Sequence, residues 1–273
     1  MKKLSIITIN LNNVEGLQIT MNSIFHQSFS DFEYIIVDGG SVDGSAELIK
    51  ENADKIDYWI SESDAGIYNA MNKGLLRATG EYVLFLNSGD YLSDNDVLSF
   101  MLKELTGEGL IYGNLYEGME GRGTLTVFPD VLTVRYMVQY YLGHPSTFIK
   151  RCLFENDLYS EDLKIAADWE FFLKKIVVEG CSYKHVNRTV SIYNLDGVSA
   201  VAVGMGDSER KLILDRLLSP ILYDEIKYLI NIEKSPFIEL IPKLNKTKKF
   251  QYKMKNLVAF LLKMENFIVR RKE

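Results

Sequence analysis

Short apolar runs alternate with segments of helical periodicity along the first 90 residues. The run Leu4 to Ile9 ends in Asn10, and the run Tyr34 to Val37 ends in Asp38, which is typical of strands buried on both faces. The alternation predicts a doubly wound, mainly parallel α/β sheet. Further strands are predicted at 58–60 and 82–86, and helices at 14–25, 43–52 and 66–78, the last of these closed by Gly80.

The region after residue 90 is less regular. Strands at 110–116 and 124–128 flank three glycines and are predicted to pair as an antiparallel hairpin. Helices are predicted at 131–141 and 168–178, a strand at 190–193, and helical segments from about residue 205. We therefore expect one domain over residues 1–203, divided near residue 90, and a helical C-terminal extension over 204–273.

Composition and cysteine usage indicate an ordinary folded protein of a reducing compartment. Of 273 residues, 47% are hydrophobic and 25% charged, so a sizeable core can form. The first apolar run is broken at Asn10, unlike a secretion signal, and no uncharged stretch of about 18 residues predicts a membrane-spanning helix. Cys152 and Cys181 show neither metal-ligand spacing nor a disulfide framework. A cytoplasmic protein is expected.

The formal charge of −6 is unevenly distributed. Residues 240–273 contain ten Lys or Arg and two Glu, so this segment carries +8 and the remainder −14. The acidic remainder is a poor surface for a nucleic-acid backbone. The basic tail, residues 243–272, interleaves lysines with Phe and Leu, and such a segment can lie on an anionic membrane surface. It can equally pack on the acidic domain or in a dimer, and the sequence leaves both alternatives open.

Polar side chains follow each of the first four predicted strands, where open α/β sheets bind their ligands. They are Asn10, Asp38, Asp64 and the loop Asn87-Ser88-Gly89-Asp90. Any one of these segments could be only a turn, since Asn, Asp and Gly are common turn residues. Four of them together favour a ligand site.

Five segments of the chain, within roughly residues 1–200, resemble the inverting glycosyltransferases of family 2, which have the GT-A fold and act in capsule, O-antigen and exopolysaccharide pathways. The resemblance implies a nucleotide-diphosphate sugar as donor, with a UDP-sugar favoured, and a surface glycan or lipid-linked oligosaccharide as acceptor. It divides the domain into a nucleotide-sugar half, 1–90, and an acceptor half, 91–203. The segments are LSIIT at 4–8, VDGGSVDGS at 37–45, DAGIYNAMNKG at 64–74, GEYVLFLNSGD at 80–90 and ADWEF at 167–171.

The resemblance assigns most of the strand-end residues to the donor. Asp38 can accept a hydrogen bond from a uracil N–H or a ribose hydroxyl, and Asp64 is expected to line the same pocket or to cap the following helix. The remaining donor-site candidates at strand ends are Thr8, Asn10, Asn87 and Ser88.

Three residues of the third predicted helix join this group. Tyr68 and Asn72 share a helix face at i and i+4, and that face can meet the donor. Lys73 either contacts a phosphate or is simply solvated.

The loop at 87–90 departs from the acidic Asp-x-Asp pattern with which this family holds a divalent cation. Asn87 and Gly89 occupy two of the acidic places, and Asp90 remains. Mg²⁺ or Mn²⁺ can still bind Asp90, diphosphate oxygens and water, because Mg²⁺ often uses few protein carboxylates. His144 lies where related sequences carry a histidine and is a candidate for the metal or the acceptor, with a purely structural histidine as the alternative.

Asp168 matches the position of the family's catalytic base. Inverting transfer needs a group that takes the proton of the acceptor hydroxyl, and a carboxylate suits this role. Its apolar neighbours in sequence are expected to desolvate Asp168 and raise its pKa. Glu170 is the neighbouring alternative, and Asp168 can also be read as an acidic residue stabilising a helix N-terminus.

The sequence leaves two alternative functions to consider. A sugar-1-phosphate nucleotidyltransferase should have a basic, glycine-rich loop after the first strand, and residues 10–13 offer none. A non-catalytic nucleotide-sugar-binding module would not need Asp38, Asp90 and Asp168 together. The sequence therefore favours a cytoplasmic glycosyltransferase, with peripheral binding to the inner face of the cell membrane as one of the two alternatives for the basic tail.

Overall fold

The computed structural model describes residues 2–119, 122–194 and 205–233, with 252–253, 255–257 and 259. The chain forms two compact units, Met1–Leu217 and Leu218–Glu273. The first unit contains a nine-stranded sheet. Among the residues described, no helix combines the length and the apolar character that crossing a membrane requires. The basic tail at 243–272 falls almost entirely outside these residues.

Four parallel strands form one side of the sheet, in the spatial order β3-β2-β1-β4. All seven residues of β1 and five of the six in β2 are buried, which explains their continuous apolar runs. The predicted β-α-β-α alternation is confirmed. The elements are β1 (Leu4–Asn10), α1 (Val14–Phe25), β2 (Glu33–Asp38), α2 (Ser45–Glu51), β3 (Tyr58–Ser61), α3 (Ile67–Leu75) and β4 (Tyr82–Phe85).

The second side of the sheet mixes strand directions. Its strands are β5 (Tyr91–Leu92), β6 (Leu110–Met119), β7 (Arg122–Thr126), β8 (Thr147–Lys150) and β9 (Tyr183–Tyr193). β8 runs antiparallel between β4 and β6, β6 runs parallel to β9, and β9 runs antiparallel to β5. β6 and β7 form the predicted antiparallel hairpin. The predicted α/β fold class is confirmed.

Helices of the second half are shorter than predicted. The segment predicted as a helix at 168–178 consists of an α-helix and a π-helical turn at Lys174–Val178. One helix, α4, and the strands β5 and β8 were not predicted. The helices are α4 (Val97–Glu104), α5 (Val134–Gln139), α6 (Ala167–Leu173) and α7 (Met205–Leu217) in the first unit, and α8 (Pro220–Glu233) in the second.

The main core lies between the sheet and helices α1 and α4. Leu17 and Met21 of α1 and Val97 and Met101 of α4 are fully buried against alternate residues of β1, β2 and β4. The opposite face is covered by α3, whose Gly74 packs directly on Ile7 of β1. The parallel strands are therefore covered on both faces, as a doubly wound sheet requires.

Gly80 has a different role from the predicted one. The helix α3 ends at Leu75, and Gly80 is not among the glycines with positive φ, so the expected helix cap at Gly80 is wrong. Instead, a Cβ atom at Gly80 would lie 2.6 Å from the Ser5 nitrogen and 2.7 Å from the Leu4 carbonyl carbon. The Gly80 N–H also donates to Ser5 Oγ at 2.9 Å. Gly80 therefore permits a close approach of two backbones at the start of β4.

We predict that Gly80→Ala lowers the free energy of unfolding by about 1–3 kcal/mol, because backbone atoms of β1 must move to admit the methyl group. Urea denaturation measures this. Gly206→Ala is the matched control, since its Cβ would meet only Ile165 Cδ1 at 3.5 Å, an ordinary contact. Equal stabilities of the two variants would contradict the close approach.

Candidate active site

The carboxyl ends of β1 and β2 bring Asn10 and Asp38 side by side in the sheet. Asp38 is fully buried. Its carboxylate accepts hydrogen bonds from Asn10 Nδ2 at 2.8 Å, from the Ser41 hydroxyl at 2.6 Å and backbone N–H at 2.9 Å, and from Ser61 Oγ at 2.6 Å. Burial alone would raise the pKa of Asp38, but the hydrogen bonds from Ser41, Ser61 and Asn10 outweigh it and lower that pKa. Asp38 is therefore an ionised anchor for three loops.

Asn10 has an unused acceptor beside this anchor. Its amide nitrogen must face the Asp38 carboxylate, because a carboxylate only accepts hydrogen bonds. The amide oxygen Oδ1 is then buried and has no hydrogen-bond partner among the described residues. Buried polar atoms are almost always paired, so an unpaired acceptor at the end of a strand is a feature that a ligand donor can satisfy.

Asp64 approaches the end of β2 from the loop after β3. A Cβ atom at Gly39, the residue after Asp38, would lie 2.6 Å from Asp64 Oδ2, so the glycine leaves room for this carboxylate. Its Oδ1 accepts the backbone N–H of Gly66, the residue that precedes α3, at 2.9 Å. Asp64 thus lies close to Gly39 and satisfies a donor at the start of a helix.

Three other candidates are engaged within the protein. Thr8 is buried and its hydroxyl donates to the Leu86 carbonyl at 2.8 Å. The amide of Asn72 donates to the Tyr159 carbonyl and accepts the Tyr159 N–H, at 2.9 and 3.0 Å. Lys73 pairs with Glu62 at 2.7 Å. These contacts hold loops around the pocket, and donor contact by these residues stays a prediction.

The loop 87–90 is organised by a residue that sequence reasoning missed. The Thr20 hydroxyl, on the buried face of α1, lies 2.7 Å from the Asp90 carbonyl and accepts the Gly89 N–H at 2.9 Å. Gly89 has φ of +103°, which a residue with a side chain rarely adopts. Ser88 is held by Asn13 Nδ2, which donates to its carbonyl at 3.1 Å. A threonine inside an amphipathic helix carried no signal for this task.

Asp90 is buried and weakly partnered. Its Oδ1 accepts the Asn194 N–H at 3.1 Å. Burial raises the pKa of the Asp90 carboxyl to about 7, only partly opposed by the charge of His144 and by the Asn194 hydrogen bond. A buried carboxylate with so little compensation is a strong acceptor for a cation or a proton.

His144 and Asp168 form a buried pair. His144 Nδ1 lies 3.0 Å from Asp168 Oδ2. The other carboxylate oxygen, Oδ1, accepts the Tyr68 hydroxyl at 3.0 Å and the Trp169 N–H at 2.9 Å. Residues from α3, from the turn before β8 and from α6 therefore meet at one carboxylate.

The expected rise in the pKa of Asp168 is wrong. Burial does favour the neutral acid, but the hydrogen bond and charge of His144, with the hydrogen bonds of Tyr68 and Trp169, outweigh it and lower the pKa of Asp168. Asp168 in turn raises the pKa of His144 against the opposing effect of burial. The sequence showed the apolar neighbours of Asp168 and could not show the donors.

Asn87 completes this network from the end of β4. Its Nδ2 lies 3.2 Å from His144 Nε2, and its buried Oδ1 has no hydrogen-bond partner in the part of the chain that the structure describes. A neutral His144 that donates through Nδ1 accepts from Asn87 through Nε2, and a protonated one would instead seek the amide oxygen. The contact of Asn87 Nδ2 with His144 Nε2 is therefore the one expected for a neutral His144. Protonation of His144 would favour the opposite orientation of the Asn87 amide.

Helix α7 holds the loop that leads to Asp168, a role with no sequence signal. Glu209 accepts three backbone N–H groups, from residues 164, 165 and 166, at 2.7–3.0 Å. Arg210 lies over the Trp169 ring at 5.0 Å. Arg216 pairs with Glu170 at 3.0 Å and with Asp162 at 2.9 Å. The alternative base Glu170 is thus already in an ion pair.

A divalent cation would need ligands beyond the protein at this site. Within the described residues, no group of three His, Cys, Asp or Glu side chains is arranged to hold a metal. Asp90 supplies one buried carboxylate, and the unpaired Oδ1 of Asn87 lies in the same loop. This donor set fits a cation that shares its remaining ligands with a bound diphosphate and water. It does not fit an all-protein cage.

Comparison with known proteins gives consistent findings. Residues 5–151 match the family model described as Glycosyl transferase family 2. An uncharacterized glycosyltransferase of Mycobacterium tuberculosis is 33% identical over 183 residues, which cover 64% of this chain and 69% of the relative. The GalNAc(5)-diNAcBac-PP-undecaprenol beta-1,3-glucosyltransferase of Campylobacter jejuni is 25% identical over 244 residues, covering 83% of this chain and 76% of that protein.

A solved structure matches the fold. The crystal structure of S. aureus TarS 1–349 in complex with UDP-GlcNAc has a TM-score of 0.67 and 19% identity, covering 92% of this chain and 78% of that one. At this identity the likeness concerns the fold alone. The expected GT-A class is confirmed.

We predict that Asp90→Asn raises the melting temperature of the ligand-free, EDTA-treated protein at pH 8, and that the gain shrinks as the pH falls to 5. Above pH 7 the folded protein holds a buried, ionised Asp90, which costs stability. As the pH falls through 7 toward the ordinary Asp value near about 4, the folded state takes up the proton and the cost is lost. Thermal melts at the two pH values test this, with the exposed Asp54→Asn as control. A pH-independent difference would contradict it.

Proposed function

The chain belongs to glycosyltransferase family 2, and we propose that it transfers one sugar, with inversion, from a nucleotide-diphosphate donor to a hydroxyl of a glycan acceptor. The observation that carries the proposal is the arrangement at the carboxyl edge of the sheet. Asp38 ends β2, Asp90 follows β4, and Asp168 of α6 contacts His144, whose charge also acts on Asp90. Each carboxyl has a different electrostatic environment. One site can thus supply nucleotide recognition, a cation ligand and a base.

The donor nucleotide is proposed to bind at Asn10, Asp38 and Asp64. The unpaired Asn10 Oδ1 is the acceptor best suited to a base N–H or ribose hydroxyl, because the Asp38 carboxylate already accepts four hydrogen bonds. Asp38 then acts mainly by holding the Asn10 amide in this orientation. A UDP-sugar is the favoured donor, since TarS 1–349, which has the same fold, is described in complex with UDP-GlcNAc.

A Mg²⁺ or Mn²⁺ ion is proposed to bind Asp90 together with the donor diphosphate. When bound, such an ion neutralises charge on the departing diphosphate. Asp90 must be ionised to serve as a ligand, so the proton that burial favours has to leave first. Asn87 is better placed to hold His144 than the metal, through its contact with Nε2.

Asp168 is proposed to take the proton of the acceptor hydroxyl. Each carboxylate oxygen has two lone pairs, and both lone pairs of Oδ1 are used by Tyr68 and Trp169. Oδ2 has one contact, from His144, and keeps a lone pair for the incoming proton. The low pKa of Asp168 keeps the base ionised, and the hydroxyl becomes acidic enough only as its bond to the anomeric carbon forms.

The acceptor is proposed to be a surface polysaccharide or a lipid-linked oligosaccharide at the cytoplasmic face of the membrane. The Campylobacter relative is named for a lipid-linked acceptor, which supports this class. The basic tail at 243–272 supports attachment to an anionic membrane surface by its sequence alone.

We predict that donor binding depends on a divalent cation and on Asp90. In a thermal-shift panel of nucleotide sugars, the correct donor should raise the melting temperature with Mn²⁺ but not with EDTA. Asp90→Ala should remove the difference between the two conditions. Equal calorimetric affinities for the donor with Mn²⁺ and with EDTA would contradict the metal assignment. Absence of donor hydrolysis would favour a non-catalytic nucleotide-sugar-binding module.

We predict that Asp168→Asn lowers turnover roughly 10²- to 10⁴-fold while donor affinity stays close to wild type, because an amide cannot take the proton. Initial rates and calorimetry with the selected donor measure the two quantities. Near-wild-type turnover, together with a large loss for Glu170→Gln, would move the role to Glu170.

A further inference from the structure

Three tyrosines and one carboxylate form an exposed wall on the acceptor half. Tyr136 and Tyr140 of the α5 region have ring centroids 5.1 Å apart at an interplanar angle of 30°. The side chain of Tyr140 is 54% exposed and that of Tyr141 is 38% exposed. The Tyr141 hydroxyl donates to the Glu117 carboxylate of β6. We call these four residues the tyrosine wall.

The tyrosine wall is attached to the candidate base from two directions. Trp169, the residue after Asp168, donates through Nε1 to the carbonyls of Met137 and Tyr140, both at 2.9 Å. Its backbone N–H donates to Asp168 Oδ1. Tyr141 is also three residues before His144, the partner of Asp168. Trp169 therefore links the backbone of the wall to the proposed proton acceptor, and Glu117 lies on β6, which is separated from β2 and β3 by other strands of the sheet.

Contacts within the protein hold two of the tyrosines of the wall. Tyr141 packs edge to face on Phe128, with ring centroids 6.3 Å apart. Tyr136 donates to the Tyr141 carbonyl at 3.4 Å, and Thr133 caps α5 through the Tyr136 N–H at 3.0 Å. Exposed aromatic rings held in place offer contact area at little entropic cost.

We propose that the tyrosine wall is the subsite for a pyranose ring of the acceptor. This inference rests on the proposed function. A pyranose presents C–H groups on its faces and hydroxyls at its rim, so one ring of the acceptor can lie on the exposed Tyr140 ring. Glu117, held by Tyr141, offers a carboxylate to hydroxyls of the acceptor glycan. The negative charge of the Glu117 carboxylate repels the diphosphate of a nucleotide. A hydrocarbon chain has no hydrogen-bond donor for this carboxylate. The wall thus selects a neutral or amino sugar.

The test uses the full chain, the donor selected by thermal shift, and p-nitrophenyl glycosides of the common hexoses and N-acetylhexosamines as soluble acceptors without lipid. Transfer to each glycoside and hydrolysis by water are measured in the same reaction. We expect Tyr140→Ala to lower the ratio of transfer to hydrolysis about tenfold and to raise the KM for the glycoside, because water needs no aromatic surface. Tyr140→Phe should keep the wild-type ratio, and Glu117→Gln should lower it.

Tyr228→Ala is the matched control, because Tyr228 of α8 is 63% exposed and lies outside the wall. An unchanged ratio and KM for Tyr140→Ala would overturn the subsite, as would wild-type hydrolysis without transfer to any glycoside. An equal fall for Tyr228→Ala would also overturn it. Absence of both hydrolysis and transfer in the wild type would overturn the proposed function, and this inference with it.

Discussion

An ionised carboxylate at Asp168 can stay buried only because separate elements bring hydrogen-bond donors to it. Tyr68 comes from α3, His144 from the turn before β8, and the Trp169 N–H from the first turn of α6. Burial disfavours the charge, and these donors reverse that preference. Residues on both sides of position 90 must therefore be assembled before Asp168 has its charge. The ionised state of Asp168 depends in this way on several elements of the first unit and not on one loop.

The three acidic side chains of the site are in different electrostatic states for local reasons. Asp38 is saturated by serine hydroxyls and an amide, Asp168 is paired with His144, and Asp90 has one backbone donor. Asp90 is thus the one among them that gains most from a cation. An anionic donor entering a chain whose first 239 residues carry −14 is repelled unless positive charge enters with it. Charge balance therefore supports the proposed metal requirement despite the reduced acidic loop.

The sequence predicts those candidate site residues whose positions follow from the periodicity of the strands. Asn10 and Asp38 end buried strands, so their proximity follows from the parallel register. Contacts between distant segments could not be predicted. Thr20 and Glu209 bind backbone groups, which any sequence supplies, so no partner residue signals their role. The π-helical turn after α6 and the backbone approach at Gly80 likewise arise from tertiary packing. The pKa of Asp168 was misjudged because its neighbours in space are not its neighbours in sequence.

Helix α7 has a consequence for how the sequence can change over evolution. Arg216 bridges the buried Glu170 and the exposed Asp162, so replacing Arg216 leaves the buried Glu170 carboxylate without its cation, and positions 170 and 216 should co-vary among relatives. Glu209 accepts hydrogen bonds from main-chain N–H groups of residues 164–166. The side chains of this loop can therefore change without loss of these hydrogen bonds. Position 209 should therefore stay acidic while the loop beneath it diversifies. Helix α7 thus allows the residues around Asp168 to change during evolution while the position of Asp168 stays the same.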